Sequence, residues 1–128
     1  MLKIIFILLF FLSSCSKKNP ELQIKYSVNV PEKYIGKKSD LIGKGNIYEN
    51  LDLEVQYTVQ HRRGWEECIN LFLEDKLKKE TSVSLKQYWT VHSDGDNDGF
   101  NLCKKIIFEK LKVYSKEELK KYFEEKKP

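Results

Sequence analysis

No long hydrophobic run occurs in the 128 residues, no strong excess of one charge, and few cysteines or histidines. The longest apolar stretch, IIFILLFFL at 4–12, holds nine residues, whereas a membrane-spanning helix takes about 20. Lysine and arginine total 23 against 19 acidic residues, for a net charge of +4. That balance is too weak and too dispersed to argue for a nucleic-acid partner. Three cysteines and two histidines leave few combinations for metal or thiol chemistry. The one glycine–lysine–glycine run, at 43–45, lacks the rest of a phosphate-binding loop and reads as a turn.

What is present begins at the N-terminus. Met1-Leu2-Lys3, the apolar run and then Ser13, Ser14 and Cys15 form the three parts of a secretory signal peptide. Leu12-Ser13-Ser14-Cys15 resembles the lipobox of bacterial lipoproteins, an aliphatic residue and two small ones before a cysteine. The resemblance covers the leader alone. It implies cleavage before Cys15, acylation of its sulfur with diacylglycerol and a further palmitate-type chain, and anchorage in the cell membrane or outer membrane on the extracytoplasmic side. Each buried methylene of an acyl chain contributes about 0.8 kcal/mol to such anchorage. The expected organisation is a signal peptide at 1–14, a lipidated polar tether at 15–21 and one globular domain at 22–128.

Within the domain, hydrophobic residues alternate in ELQIKYSVNV (21–30) and LDLEVQYTV (51–59), and again in SVSLKQYWTV (82–91). Period two predicts half-buried strands, with a further short strand near Ile47. Helical spacing follows at Trp65, Cys68, Ile69 and Phe72, then at Phe100, Cys103, Ile107 and Leu111. Ser115 and Glu118 make a capping box for a last helix bearing Leu119, Tyr122 and Phe123. The expected fold is α+β: a small antiparallel sheet of three to four strands on about three helices, in the order β-β-α-β-α-α.

Two segments resemble each other, YTVQHRRGWEECINLFLE (57–74) and YWTVHSDGDNDGFNLCKKIIFE (88–109). Gly64 matches Gly99, Trp65 matches Phe100, Cys68 matches Cys103 and Glu74 matches Glu109. Each copy reads as strand, histidine, loop and helix, with the loop four residues longer in the second copy. That longer loop holds Asp94, Asp96, Asp98 and Gly99, at positions 1, 3, 5 and 6 of a calcium loop. Position 12, where a bidentate glutamate belongs, is Lys105. The favoured reading is that Asp98 caps a helix while Gly95 and Gly99 permit the turn. Calcium on Asp94, Asp96 and Asp98 is the alternative, and no other cofactor is expected.

With Cys15 used by lipid, Cys68 and Cys103 form an expected disulfide, the usual state of paired cysteines in an exported chain. Such a bond requires the first turns of the two helices to meet. A zinc site on His61, Cys68, His92 and Cys103 has no compact spacing in its favour. A cysteine nucleophile with a histidine base lacks a third, orienting group. The histidines read as loop residues at strand ends, and Trp65, Trp89 and Phe100 as core anchors.

These observations point to a membrane-anchored lipoprotein whose domain is a non-catalytic accessory or binding module of the envelope, with an immunity-type inhibitor as a narrower form. Its expected partners are membrane lipid, through acylated Cys15, and a protein of the envelope. The alternatives are a cysteine- or metal-dependent exported enzyme and a calcium-stabilised structural module.

Overall fold

A computed structural model describes residues 21–38, 52–84 and 90–127. The fold is all-α, not the α+β sheet expected from the alternating segments. Helix α1 spans Leu53–Leu73, α2 spans Thr90–Lys110 and α3 spans Lys116–Glu125, with a single 3₁₀ turn at Glu32–Tyr34. Among the described residues the one β-type pairing is an isolated antiparallel bridge between Lys38 and Asp52. The expected leader, lipidation site and most of the expected tether lie outside the described residues. So do the Gly-Lys-Gly turn, the short strand near 47, Trp89 and half of the third expected strand, 82–91, of which Thr90 and Val91 open α2 instead.

Residues 51–59 were expected as a strand, and the described part of them opens α1. Burial shows why the hydrophobic pattern misleads. Val55 and Val59 are 43% and 53% exposed. The inward face is instead Gln56, Tyr57, Gln60, His61, Gly64, Trp65, Cys68 and Phe72. This is a helical stripe at spacings of three and four, but half of it is polar or glycine, so hydropathy does not mark it. The inward face of α2 is Val91, His92, Gly95, Asp96, Gly99, Phe100, Cys103 and Ile107. The two lists share one spacing, with every position offset by 35, the separation of the two cysteines.

The repeat is therefore helix on helix, without a strand or a lengthened loop. Gly64 still matches Gly99, but His61 now matches Asp96 and His92 matches Tyr57. The equivalence of the two histidines came from placing a loop where the chain is helical.

The pair α1 and α2 runs parallel. Tyr57 meets Asp98, His61 lies against Gly99, and Cys68 meets Cys103, so contacts advance together along both helices. Glycine allows their close approach. A Cβ on Gly64 would lie 2.0 Å from the backbone oxygen of Asp96, and one on Gly99 would lie 1.8 Å from that of His61. These are equivalent contacts exchanged between the helices, the mark of a pseudo-twofold relation. Cys68 and Cys103 close the seam as a disulfide, with Cα atoms 6.1 Å apart. In the chain-entropy view, a loop of that length contributes roughly 3–4 kcal/mol.

Below the disulfide, Phe72, Phe100, Ile107, Tyr114, Leu119 and Phe123 form the main core. Helix α3 starts at the expected capping box: Ser115 Oγ accepts from the Glu118 N–H, and Glu118 Oε1 accepts from the Ser115 N–H, both at 3.1 Å. Residues 21–30 keep the expected alternation, with Leu22, Ile24, Tyr26, Val28 and Val30 half-buried and their neighbours exposed. They belong to no ladder. The segment lies along the helices, with Leu22, Ile24 and Tyr26 on the main core and Val28 and Val30 beside Tyr34, Tyr57 and Val91. Tyr122 pins it, its hydroxyl accepting from Ile24 N–H at 3.0 Å and donating to Ile24 C=O at 3.2 Å.

Candidate functional site

The three aspartates sit inside α2, up to eight residues past its start at Thr90. Asp98 is thus no N-cap, and Gly95 and Gly99 are not turn residues. On a helix, residues two apart point roughly 200° apart, so Asp96 faces away from Asp94 and Asp98, which share a side of α2 but accept from different tyrosines. Asp94 accepts from the Tyr34 hydroxyl at 2.5 Å and pairs with Lys33 at 3.1 Å. Asp96 is fully buried against Gly64. Asp98 accepts from the Tyr57 hydroxyl. Among the described residues no group of three His, Cys, Asp or Glu side chains is gathered to hold a metal ion.

The histidines are not loop residues. His61 and His92 are 3% and 2% exposed, His61 in the middle of α1 and His92 near the start of α2. His92 Nε2 and Gln56 Oε1 are hydrogen-bonded at 2.9 Å across the seam, and Tyr26 bonds His61 Nδ1 through its hydroxyl at 2.7 Å. Burial lowers the pKa of both. For His61 the Asp98 charge opposes the shift, and for His92 the Arg63 charge adds to it. Neutral imidazoles suit the polar partners they have. Burial likewise raises Tyr26 and, with the Asp98 bond, Tyr57. At Asp94, burial acts upward, but the bonds from Tyr34 and Lys33 outweigh it and hold the carboxyl below its usual range.

The zinc set and the thiol nucleophile are not assembled. Each cysteine is bonded to the other, and each histidine is bonded to a glutamine or a tyrosine. The seam consumes its chemical groups in holding two helices together.

An open cleft lies on the other side of α1, with a volume of about 380 Å³. Its floor includes Ile24, Tyr26, Trp65, Ile69 and Tyr122, and its rim carries Arg62, Glu66, Lys126 and Lys127. Arg62 stacks on Tyr26, 4.8 Å from the ring centroid, and bridges Glu66 at 3.0 Å. Lys126 stands 5.5 Å from the Tyr122 ring. An apolar floor with a few polar groups at its edge is the usual make-up of a recognition surface. The sequence reading missed this site because it assigned Tyr26 to a strand and Tyr122 to a helix core. The available signal was Tyr122, a polar-tipped ring on the apolar face of α3.

Comparison with known proteins gives no matching family model, no matching curated protein and no matching solved structure. Among the described residues no helix is long and apolar enough to cross a membrane.

Proposed function

We propose that this chain is a lipid-anchored binding module of the bacterial envelope, held by acylated Cys15 and acting through the cleft on the outer side of α1 rather than by catalysis. The observation that carries the reading is the division of labour across α1. Its inner face is closed by the Cys68–Cys103 disulfide, by His92 bonded to Gln56 across the seam and by His61 bonded to Tyr26. Its outer face leaves an apolar cleft open beside the segment that leads back to the tether. A disulfide at the centre of a small domain fits an oxidising compartment, as does the leader ending in Leu12-Ser13-Ser14-Cys15. Ile24 and Tyr26 line the cleft nine and eleven residues beyond Cys15, so an anchored chain would hold the cleft within about 30 Å of the lipid surface.

Metabolic labelling with a fatty-acid analogue tests the anchor. Wild type takes up label and Cys15→Ser does not; equal labelling of both removes the lipoprotein reading. Thiol titration of the unreduced, folded Cys15→Ser protein tests the non-catalytic part. The expected result is no reactive thiol, and a reactive Cys68 or Cys103 would favour the cysteine enzyme.

A further inference from the structure

The outer face of α1 carries a pattern that the buried seam does not use. Val55, Val59, Arg62, Glu66, Ile69 and Leu73 follow at alternating spacings of four and three. Such spacing makes one continuous stripe along a helix. The stripe lies opposite the face that meets α2. Val55 and Val59 are two of the large hydrophobic side chains left exposed, and Ile69 lies in the cleft floor. Scattered exposed valines need no explanation, but this stripe has an order. Two apolar residues flank the charged pair on each side, Val55 and Val59 exposed, Ile69 and Leu73 half-buried on the main core, and read from the other end the pair runs anion then cation, the reversal an antiparallel twofold contact needs. Its centre is level with Gly64.

We propose that a second copy of this chain docks antiparallel on the stripe, α1 against α1, about a twofold axis level with Gly64. In that register Arg62 faces the second copy's Glu66 and Glu66 faces the second copy's Arg62. Val59 meets the second copy's Ile69, and Val55 meets its Leu73. Each copy thereby lays its exposed valines over the other's cleft, and the contact closes on itself as a twofold interface must. This deepens the binding-module reading by naming the occupant of the cleft, and it does not depend on the lipid anchor.

One helix face about 30 Å long is a small interface, so a weak dimer, with a dissociation constant on the order of micromolar, is expected. Sedimentation equilibrium on the full chain, in density-matched non-ionic detergent, reads it directly. Wild type should pass from monomer to dimer as concentration rises. Arg62→Glu alone places like charges opposite each other at both crossings, and so does Glu66→Arg alone. Each should weaken self-association by about tenfold or more. An equimolar mixture of the two variants restores opposite charges at both crossings and should recover a mixed dimer. Val59→Glu should be monomeric alone and should not be rescued in any mixture.

Circular dichroism and thiol titration verify that each surface variant is folded with its disulfide intact. The leader is the same in every variant, so association through residues 1–20 would not respond to the charge changes. A wild type that is monomeric throughout overturns the proposal, as does either charge variant dimerising like wild type, or a mixture that stays monomeric. None of these outcomes changes the labelling of Cys15, so the dimer and the anchor fail separately.

Discussion

Replacing Gly99 by alanine probes the closest point of the fold. The new Cβ would lie 1.8 Å from the backbone oxygen of His61 and 2.7 Å from its carbonyl carbon. Both are main-chain atoms, so no side chain can rotate aside. Ordinary contact needs the helices to part by roughly 1.5 Å, and a gap of 0.5–1 Å already forfeits about a quarter to a half of the dispersion attraction across it. The disulfide limits how the gap can open. Its Cα atoms stand at 6.1 Å, near the upper end of the usual range of about 4.4–6.8 Å. The strain must therefore fall on the N-terminal half of the seam, where it would pull apart Gln56 and His92, and Tyr57 and Asp98.

Alanine gains about 1 kcal/mol over glycine in helix propensity. Overpacking costs about 1–3 kcal/mol, and each buried hydrogen bond lost adds about 1 kcal/mol. With both bonds lost, the expected net loss for Gly99→Ala is about 2–4 kcal/mol, a large share of the stability of a small domain. Gly64→Ala, which meets the Asp96 backbone oxygen at 2.0 Å, should cost a similar amount. The double variant should cost less than the sum, since helices already parted accommodate the second methyl. Urea denaturation of the oxidised proteins measures all three. A Gly99→Ala protein as stable as wild type, with its helix content unchanged, would refute the close parallel approach.

Three further outcomes follow from the same geometry. Both histidines have depressed pKa values, so the folded state binds fewer protons than the unfolded chain. Their contribution to stability is complete above the unfolded histidine value of about 6.5 and is lost as pH falls through the folded values. A urea midpoint that does not fall between neutral pH and pH of about 5 would contradict this. Ser115→Ala removes the hydroxyl that caps α3 and should cost about 1 kcal/mol, read as a lower melting temperature. Adding calcium should leave the melting temperature unchanged, because α2 points Asp94, Asp96 and Asp98 at separate partners; a rise abolished by Asp94→Ala would reinstate the calcium site.

The sequence exposes the disulfide, the last helix and the likeness of the two halves, but conceals the helical nature of the seam. Cys68, Cys103, Trp65 and Phe100 are apolar and helically spaced, so hydropathy finds them. Gln56, Gln60, His61, His92 and Asp96 are buried yet polar, and Gly64, Gly95 and Gly99 offer no side chain to score. Meanwhile Val55 and Val59, which hydropathy assigns inward, point to solvent. Where a helix buries polar atoms and exposes valines, period two can outscore the true period. Residues 21–30 are a different case. Their alternation is real in burial, but it reflects one face resting on helices, and alternation alone carries no information about a strand partner. The cleft was hidden because its walls come from three distant stretches of chain.

The parallel arrangement of α1 and α2 also governs the order of events as the molecule folds. Neighbouring antiparallel helices can zip from a short connection, but here every seam contact joins residues about 35 positions apart. The entropy of closing that loop is spent before the first contact forms, and assembly dominated by such distant contacts is slow. Half of each inward face is glutamine, histidine, aspartate or glycine, so the N-terminal part of the seam offers little apolar surface to draw α1 and α2 together. While its thiols stay reduced, the chain lacks the covalent closure that holds the two halves in register. A reduced copy should therefore fold more slowly and hold the two helices less firmly than the oxidised one.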